Sequence, residues 1–277
     1  MLALLASAAC GGGDDNDDMD DPALCTGDIR ITSRVFYGTE QPVYVPLSDG
    51  QISAIGNFGG CTGTLIAPTW VLTAKHCQLT QSAVFCMGET PDSQDACVGA
   101  RAVHNHPRLD YDLTLVELVR DPRAELPLLV PLPIMTEVMD DTWLERTAEA
   151  SGYGTTETGT SGTRLFSAEP IIAVTGDFIT VDGQGQRGLC FGDSGGPLLV
   201  VAGDSTVRVA GALSFGDTSC LGQDSFARAD IEQAWIESFT GPTISTEPGA
   251  CGLVDEVGRC DSDVALWCDA GTLRSES

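Results

Sequence analysis

From Ile52 to Val116 the chain alternates short apolar segments with Gly, Pro, Asn and Asp. Segments this short, without βαβ alternation, predict consecutive β-strands. Within that region Pro68-Thr-Trp-Val-Leu-Thr-Ala-Lys-His76-Cys77 reads as an apolar strand that stops abruptly at His-Cys, and Asp112-Leu-Thr-Leu-Val116 as an aspartate opening an alternating strand. Residues 119–150 are rich in Pro, Leu and Glu and suit a long connection. A second β region starts near Glu149-Ala-Ser-Gly-Tyr-Gly154 and includes the apolar run Leu198–Ala202. Helical spacing appears in Asp230–Phe239, where Ile231, Ala234, Trp235 and Ile236 share roughly one face. Asp230 is the expected N-cap there and Gly241 the expected stop.

Composition narrows the class. The 277 residues suffice for one two-lobed β domain with appendages. Forty acidic against 14 basic residues give a net charge of −26, which repels nucleic acid and anionic lipid and argues against a DNA or RNA partner. Eleven cysteines point to an oxidising compartment. No apolar run in the sequence is long enough to span a bilayer. Residues 1–9 read as the apolar end of an export signal. Ser7-Ala8-Ala9-Cys10 resembles a bacterial lipobox, which would put a lipid anchor on Cys10; cleavage after Ala9 without lipid is the alternative. Residues 11–21 form an acidic, self-repelling tether, read as a spacer rather than a calcium site.

The chemistry centres on Gly192-Asp-Ser-Gly-Gly-Pro197. A serine among glycines on a tight turn is exposed beside backbone N–H groups that can hold an anion, as a nucleophile requires. The spacing also satisfies the G-x-S-x-G elbow of α/β-hydrolases, but that order needs a histidine after the serine, and none of His76, His104 and His106 follows Ser194. The order is instead His76, Asp112, Ser194. In this the chain resembles the trypsin/chymotrypsin-like serine peptidases over about Val35 to Gly241, and specifically an exported or lipid-anchored bacterial member. Thr73-Ala-Lys-His76-Cys77 stands where the family writes T-A-A-H-C, Asp112-Leu-Thr-Leu where it writes D-I-A-L, and Gly192–Pro197 is nearly unchanged. Gly152-Tyr-Gly154 and Ser214-Phe-Gly216 are weaker echoes of G-W-G and S-W-G.

That resemblance implies an all-β fold of two six-stranded antiparallel β-barrels with a C-terminal helix, followed here by a small cysteine-rich tail. The implied organisation is an export-signal remnant (1–9), an acidic linker with a short pro-segment (10–34), a peptidase domain (35–241) and the extension (242–277). It further implies a triad of His76, Asp112 and Ser194, and an oxyanion hole from the N–H groups of Gly192 and Ser194. Cutting after Arg34 would free the amino group of Val35 to pair with Asp193; an uncut chain in which Val35 simply opens a strand is the alternative. Cys61 and Cys77 match the disulfide that pins the histidine loop, and Cys190 and Cys220 belong with the family's disulfide cysteines. Cys86 and Cys97 bracket a segment that a hairpin clip would close.

Substrate selection is implied less sharply. The base of the primary pocket falls on Gly188, so an aspartate that would select Arg or Lys is absent there. Asp224 either falls on the opposite wall, favouring Arg or Lys, or is a solvent-facing loop residue. Ser214, Phe215 and Gly216 would line the substrate strand, with Gly216 leaving room for large side chains, and Leu213 argues against acidic substrates. His104 and His106 are read as surface loop residues, with no metal or cofactor expected. The expected partner is a protein or peptide substrate, handled by a monomer in the cell envelope or outside the cell. Cys251, Cys260 and Cys268 suit a small stapled β unit, an odd number that Cys25 could complete. The competing functional reading is a catalytically silent homologue that binds at a cell surface.

Overall fold

The structure is a computed structural model that describes residues 37–90 and 92–241 and, beyond them, the backbone of three strands at 259–261, 264–269 and 272–276. Cys10, Cys25, Arg34, Val35 and the side chains of the tail lie outside the described residues.

Short strands punctuated by turn residues close into two antiparallel barrels. The first is built from β1 (Ile55–Asn57), β2 (Thr62–Ala67), β3 (Trp70–Thr73), β4 (Val84–Gly88), β5 (Gln94–Asn105) and β6 (Thr114–Leu118), in the order β1-β2-β3-β6-β5-β4. A four-residue helix α1 (Asp49–Ile52) precedes it, capped by Ser48 and Gln51 in a reciprocal capping box. The second barrel comprises β7 (Thr147–Gly152), β8 (Leu165–Val174), β9 (Phe178–Asp182), β10 (Pro197–Val201), β11 (Val207–Gly216) and β12 (Gln223–Arg228), in the order β10-β11-β12-β9-β8-β7. Helix α2 (Gln233–Thr240) ends the pair. In the tail, β13 (Arg259–Asp261), β14 (Val264–Asp269) and β15 (Thr272–Glu276) form a separate antiparallel sheet.

Closure explains the burial. All six residues of β2 are buried, because a strand inside a closed barrel has a packed interior on one side and the neighbouring lobe or a covering segment on the other. Leu65, Phe85, Met87, Val98 and Leu115 fill the first lobe, in one apolar cluster with Tyr153, Phe166 and Leu199 of the second. A second cluster, with Leu165, Ile179, Val181, Leu198 and Phe226, fills the second barrel. Three disulfides brace the barrels: Cys61–Cys77, Cys86–Cys97 and Cys190–Cys220. The first closes a span of 16 residues around β2 and β3, which stabilises by about 3 kcal/mol through the entropy removed from the unfolded chain.

Two sequence expectations need correcting. Asp230 does not cap the helix. Residues Asp230–Glu232 form a 3₁₀ turn, and the buried Asp230 carboxylate instead accepts from Arg228 Nε at 3.0 Å and from Met139 N at 2.8 Å. A guanidinium offers the carboxylate a stronger partner than the helix's free N–H groups do. The helix consequently begins at Gln233, and Ile231 is left 36% exposed while Ile236 is buried and Trp235 and Phe239 pack on the core. The histidines of β5 and its end are not loop surface. His106 is 4% exposed, its Nε2 lies 3.0 Å from Glu232 Oε2, and its ring packs on Tyr111 and Trp235. The His104 ring packs against those of Trp70 and Phe239, tilted to both.

Candidate active site

The apolar strand β3 carries the chain through the core and delivers it to a 3₁₀ turn, Lys75–Cys77, where Cys77 is fixed by its disulfide and His76 is exposed. Asp112 stands just before β6, the strand that pairs with β3 from Trp70 to Thr73. The two meet: His76 Nδ1 lies 2.7 Å from Asp112 Oδ2, and the His76 backbone N–H donates to Asp112 Oδ1 at 2.8 Å. Ser214 Oγ, from β11 of the other barrel, donates to Asp112 Oδ2 at 2.6 Å. Burial pushes the Asp112 carboxyl upward, but the hydrogen bonds from His76 and Ser214 outweigh it and hold the group below its ordinary value. In turn the hydrogen bond to Asp112 raises His76 above 6.5, against the opposing effect of burial. The carboxylate fixes the ring so that Nε2 is the free nitrogen.

Ser194 reaches the same seam from the second barrel. Its carbonyl accepts from Thr62 N at 2.8 Å, and Thr62 Oγ1 donates to the carbonyl of Gly192 at 3.0 Å, so one buried threonine of β2 holds the serine turn. The turn needs its glycines. Gly192 adopts φ +104°, open to glycine at little cost, and a Cβ on Gly195 would lie 2.1 Å from Thr73 Oγ1. The N–H groups of Gly192 and Ser194 meet no acceptor among the described residues, whereas those of Asp193, Gly195 and Gly196 are all bonded to backbone carbonyls. Two neighbouring free donors on a turn form an anion cradle. The Ser194 hydroxyl and His76 Nε2 share no hydrogen bond here; such contacts commonly tighten only with substrate in place.

The Asp193 carboxylate of the same turn is fully buried. Its Oδ1 accepts from Gly154 N at 2.7 Å and its Oδ2 from Cys190 N at 2.8 Å. Burial raises its pKa to about 6 despite those two donors, and no cation pairs with it among the described residues. Gly152-Tyr-Gly154 now has a reason: a Cβ on Gly152 would sit 2.1 Å from Asp193 Oδ1, and one on Gly154 2.5 Å from Oδ2. Between them, the Tyr153 hydroxyl lies within hydrogen-bond reach of the carbonyls of Ile55 at 2.8 Å and Gly88 at 2.6 Å, so its one proton ties the two barrels together.

Asp224 is not a solvent-facing loop residue. It lies on β12 paired with Gly216 and Val181, is 1% exposed, and accepts from Leu189 N at 2.9 Å. Its carboxylate stands beside both Gly216 and Gly188: a Cβ on Gly216 would be 1.9 Å from Oδ1, and one on Gly188 3.3 Å from Oδ2. Burial first, then the charges of Asp193, Asp217 and Asp182, push it up to about 7 against the Leu189 N–H. An open depression of about 530 Å³ borders Phe215, Gly216, Asp217 and both chain neighbours of Asp224. Phe215 is exposed and packs edge-on against Phe178 at 5.2 Å.

Some site residues left no motif in the sequence. Lys75, where the family motif has alanine, donates through Nζ to the carbonyls of His106, Arg108 and Leu109 at 3.2, 3.0 and 3.3 Å, clamping the segment that leads to Asp112 onto the His76 turn. Glu149, 0% exposed, accepts the N–H groups of Val43, Tyr44 and Val45 at 2.7–2.9 Å and seats the entering chain on the second barrel. The one cluster of metal-type ligand atoms among the described residues, Cys61, His76 and Cys77, has both sulfurs committed to a disulfide.

A closed pair of antiparallel barrels with a histidine–aspartate pair at their seam defines the two-barrel serine-peptidase class of fold. The Trypsin family matches residues 36–236, and the chain belongs to it. Trypsin 5G1 of Aedes aegypti is 25% identical over 240 residues, covering 77% of this chain and 87% of that protein. A trypsin of Simulium vittatum is 30% identical over 226 residues, covering 70% and 87%. Among solved structures, HL collagenase aligns with a TM-score of 0.59 and 22% identity over 71% of this chain and 97% of its own, a likeness of fold. These two sequence relatives are insect proteins and lend no support to the bacterial origin that the lipobox resemblance implied.

Proposed function

We propose that the protein is a serine endopeptidase in which Ser194 is the nucleophile, His76 the general base and Asp112 the residue that orients it. Ser194 Oγ bonds to the scissile carbonyl carbon while its proton passes to His76 Nε2. The C–N bond then breaks as that proton goes to the leaving amine, and water hydrolyses the acyl-enzyme by the same route. Negative charge on the carbonyl oxygen would be received by the N–H groups of Gly192 and Ser194, each worth roughly 3–4 kcal/mol in the transition state. The observation that carries this reading is the Asp112 carboxylate held by His76 and Ser214 from opposite barrels, beside two unengaged N–H groups. Family membership supports protein as substrate.

Two finer readings accompany it. The solitary buried charge of Asp193 favours activation by cleavage after Arg34, which would supply the Val35 amine as its missing cation. The placement of Asp224 beside both Gly188 and Gly216 favours Arg or Lys as the residue preceding the cleaved bond. Three disulfides fit export to an oxidising compartment. The test is hydrolysis of a peptide library by the full chain before and after cutting at Arg34. Strong activity only after the cut, lost in Ser194→Ala, is expected; hydrolysis that survives Ser194→Ala refutes the mechanism.

A further inference from the structure

The second barrel buries another acid to which the proposed reaction gives no task. Glu169 lies on the inward face of β8 between Ser167 and Ile171 and is 1% exposed. Its Oε1 accepts from Ser167 Oγ at 2.8 Å, while the buried Oε2 has no hydrogen-bond partner among the described residues. A buried carboxyl oxygen without a protein partner calls for an explanation, and one is that it holds a place for a donor from outside.

Strand register shows what this oxygen neighbours. Ile171 pairs with Val181 on β9, and Val181 with Asp224 on β12, so the three form one row across the barrel. Glu169 stands two residues along β8 on the same face. Two residues beyond Val181, just past the end of β9, is Gly183, whose N–H donates to the carbonyl of Gly222 and which is packed so tightly against the Arg187 carbonyl that no side chain fits. The backbone framing Asp224 thus comes up to the Glu169 side of the barrel. Among charged groups, Asp224 acts most strongly on Glu169, followed by Arg187 and Asp182.

We propose that Glu169 is a second acid of the primary specificity pocket and that, with Asp224, it receives a planar, two-pronged cation, making the pocket prefer arginine to lysine. The inference rests on the reading of Asp224 given above. A guanidinium carries donors on two edges and can serve two carboxylates at once, whereas an ammonium is a compact point charge. Without such a cation the pocket resists charging. Burial, and then the charge of Asp224, push Glu169 to about 8. The groups bearing on the pair are Asp182 on β9, Asp193 and Asp217 in the flanking turns, and Arg187, whose Nη1 is 3.5 Å from the Ala168 carbonyl. An entering guanidinium should therefore displace a proton, and the preference for arginine should grow as pH rises through 7 to 8.

The experiment measures binding of benzamidine, a rigid amidinium, and of n-butylammonium to the full chain carrying Ser194→Ala, cut at Arg34, by calorimetry at acid and alkaline pH. Adding Glu169→Gln, which keeps the volume and an acceptor for Ser167, should weaken benzamidine about tenfold or more at alkaline pH, abolish the rise of affinity with pH, and change butylammonium much less. Benzamidine affinity unchanged by Glu169→Gln, while Asp224→Asn destroys it, overturns the role of Glu169 and leaves that of Asp224. Affinity indifferent to Asp224→Asn overturns both. An equal loss of both probes with a lowered Tm would mark Glu169 as structural only and also overturn the proposal.

Discussion

Asp112 and three buried acids of the second barrel, Asp193, Asp224 and Glu169, are treated in opposite ways. Asp112 receives donors from the His76 backbone, the His76 ring and Ser214, and its carboxyl is held below the usual range. Asp193, Asp224 and Glu169 are each no more than 1% exposed, and burial lifts them to about 6, 7 and 8. None of the three has an ion-pair partner among the described residues, while Arg228 of the same barrel is committed to Asp230. The half of the site that must be ready before substrate arrives is assembled by the chain's own donors. On the reading proposed above, the carboxyls of the other half would receive cations that arrive later: a new chain terminus for Asp193, a substrate side chain for Asp224 and Glu169.

The sharpest break in that comparison comes from removing the satisfied acid. Asp112→Asn should cut kcat by about 10⁴-fold, because the amide holds the wrong imidazole tautomer, with Tm changed far less; kinetics on a small ester substrate reads this. Asp193→Asn in the cut protein should cost about 10²–10³-fold in kcat, the scale of a lost oxyanion donor. If the cut and uncut forms of that variant differ as widely as those of the unsubstituted protein, Asp193 is not the receiver of the new terminus. A milder effect concerns stability. A carboxyl whose folded pKa is raised contributes stability that is complete below its ordinary value, near 4, and is lost as pH rises through its folded value. The uncut protein should therefore melt several degrees lower at alkaline pH than near pH 5, and benzamidine should restore part of the difference at alkaline pH. Smallest is the clamp on the first half. Lys75→Met should lower kcat roughly tenfold, the worth of a hydrogen bond to a charged group, with KM little moved, and Lys75→Arg should recover most of it.

What was legible in the sequence follows the same division. His76, Asp112 and Ser194 stood out because the chemistry confines residue types within short motifs; short alternating segments announced β-strands, and the two barrels came with the family resemblance that those motifs carry. The pairing of Cys86 with Cys97 is a cross-strand neighbour relation that close spacing already hinted at. By contrast, Glu169, Glu149 and Lys75 matter through groups far away in the chain, and only register or a folded loop brings those partners together. Asp230 misled for a related reason: local capping chemistry is a fair guide until a buried arginine competes for the same carboxylate. The two open readings of Asp224 turned on whether Phe226-Ala-Arg228, after a segment shorter than usual, aligns with the family's Y-A-R, and loops and element boundaries are the least legible features of any sequence.

The central claim is that Ser194 becomes a nucleophile through His76. The direct measurement is labelling of the cut full chain with a fluorophosphonate, followed by peptide mass mapping. A single adduct on Ser194 is expected, formed rapidly in the unsubstituted protein and suppressed by several orders of magnitude in His76→Ala. An adduct on another residue, or labelling of Ser194 at an equal rate without His76, would contradict it.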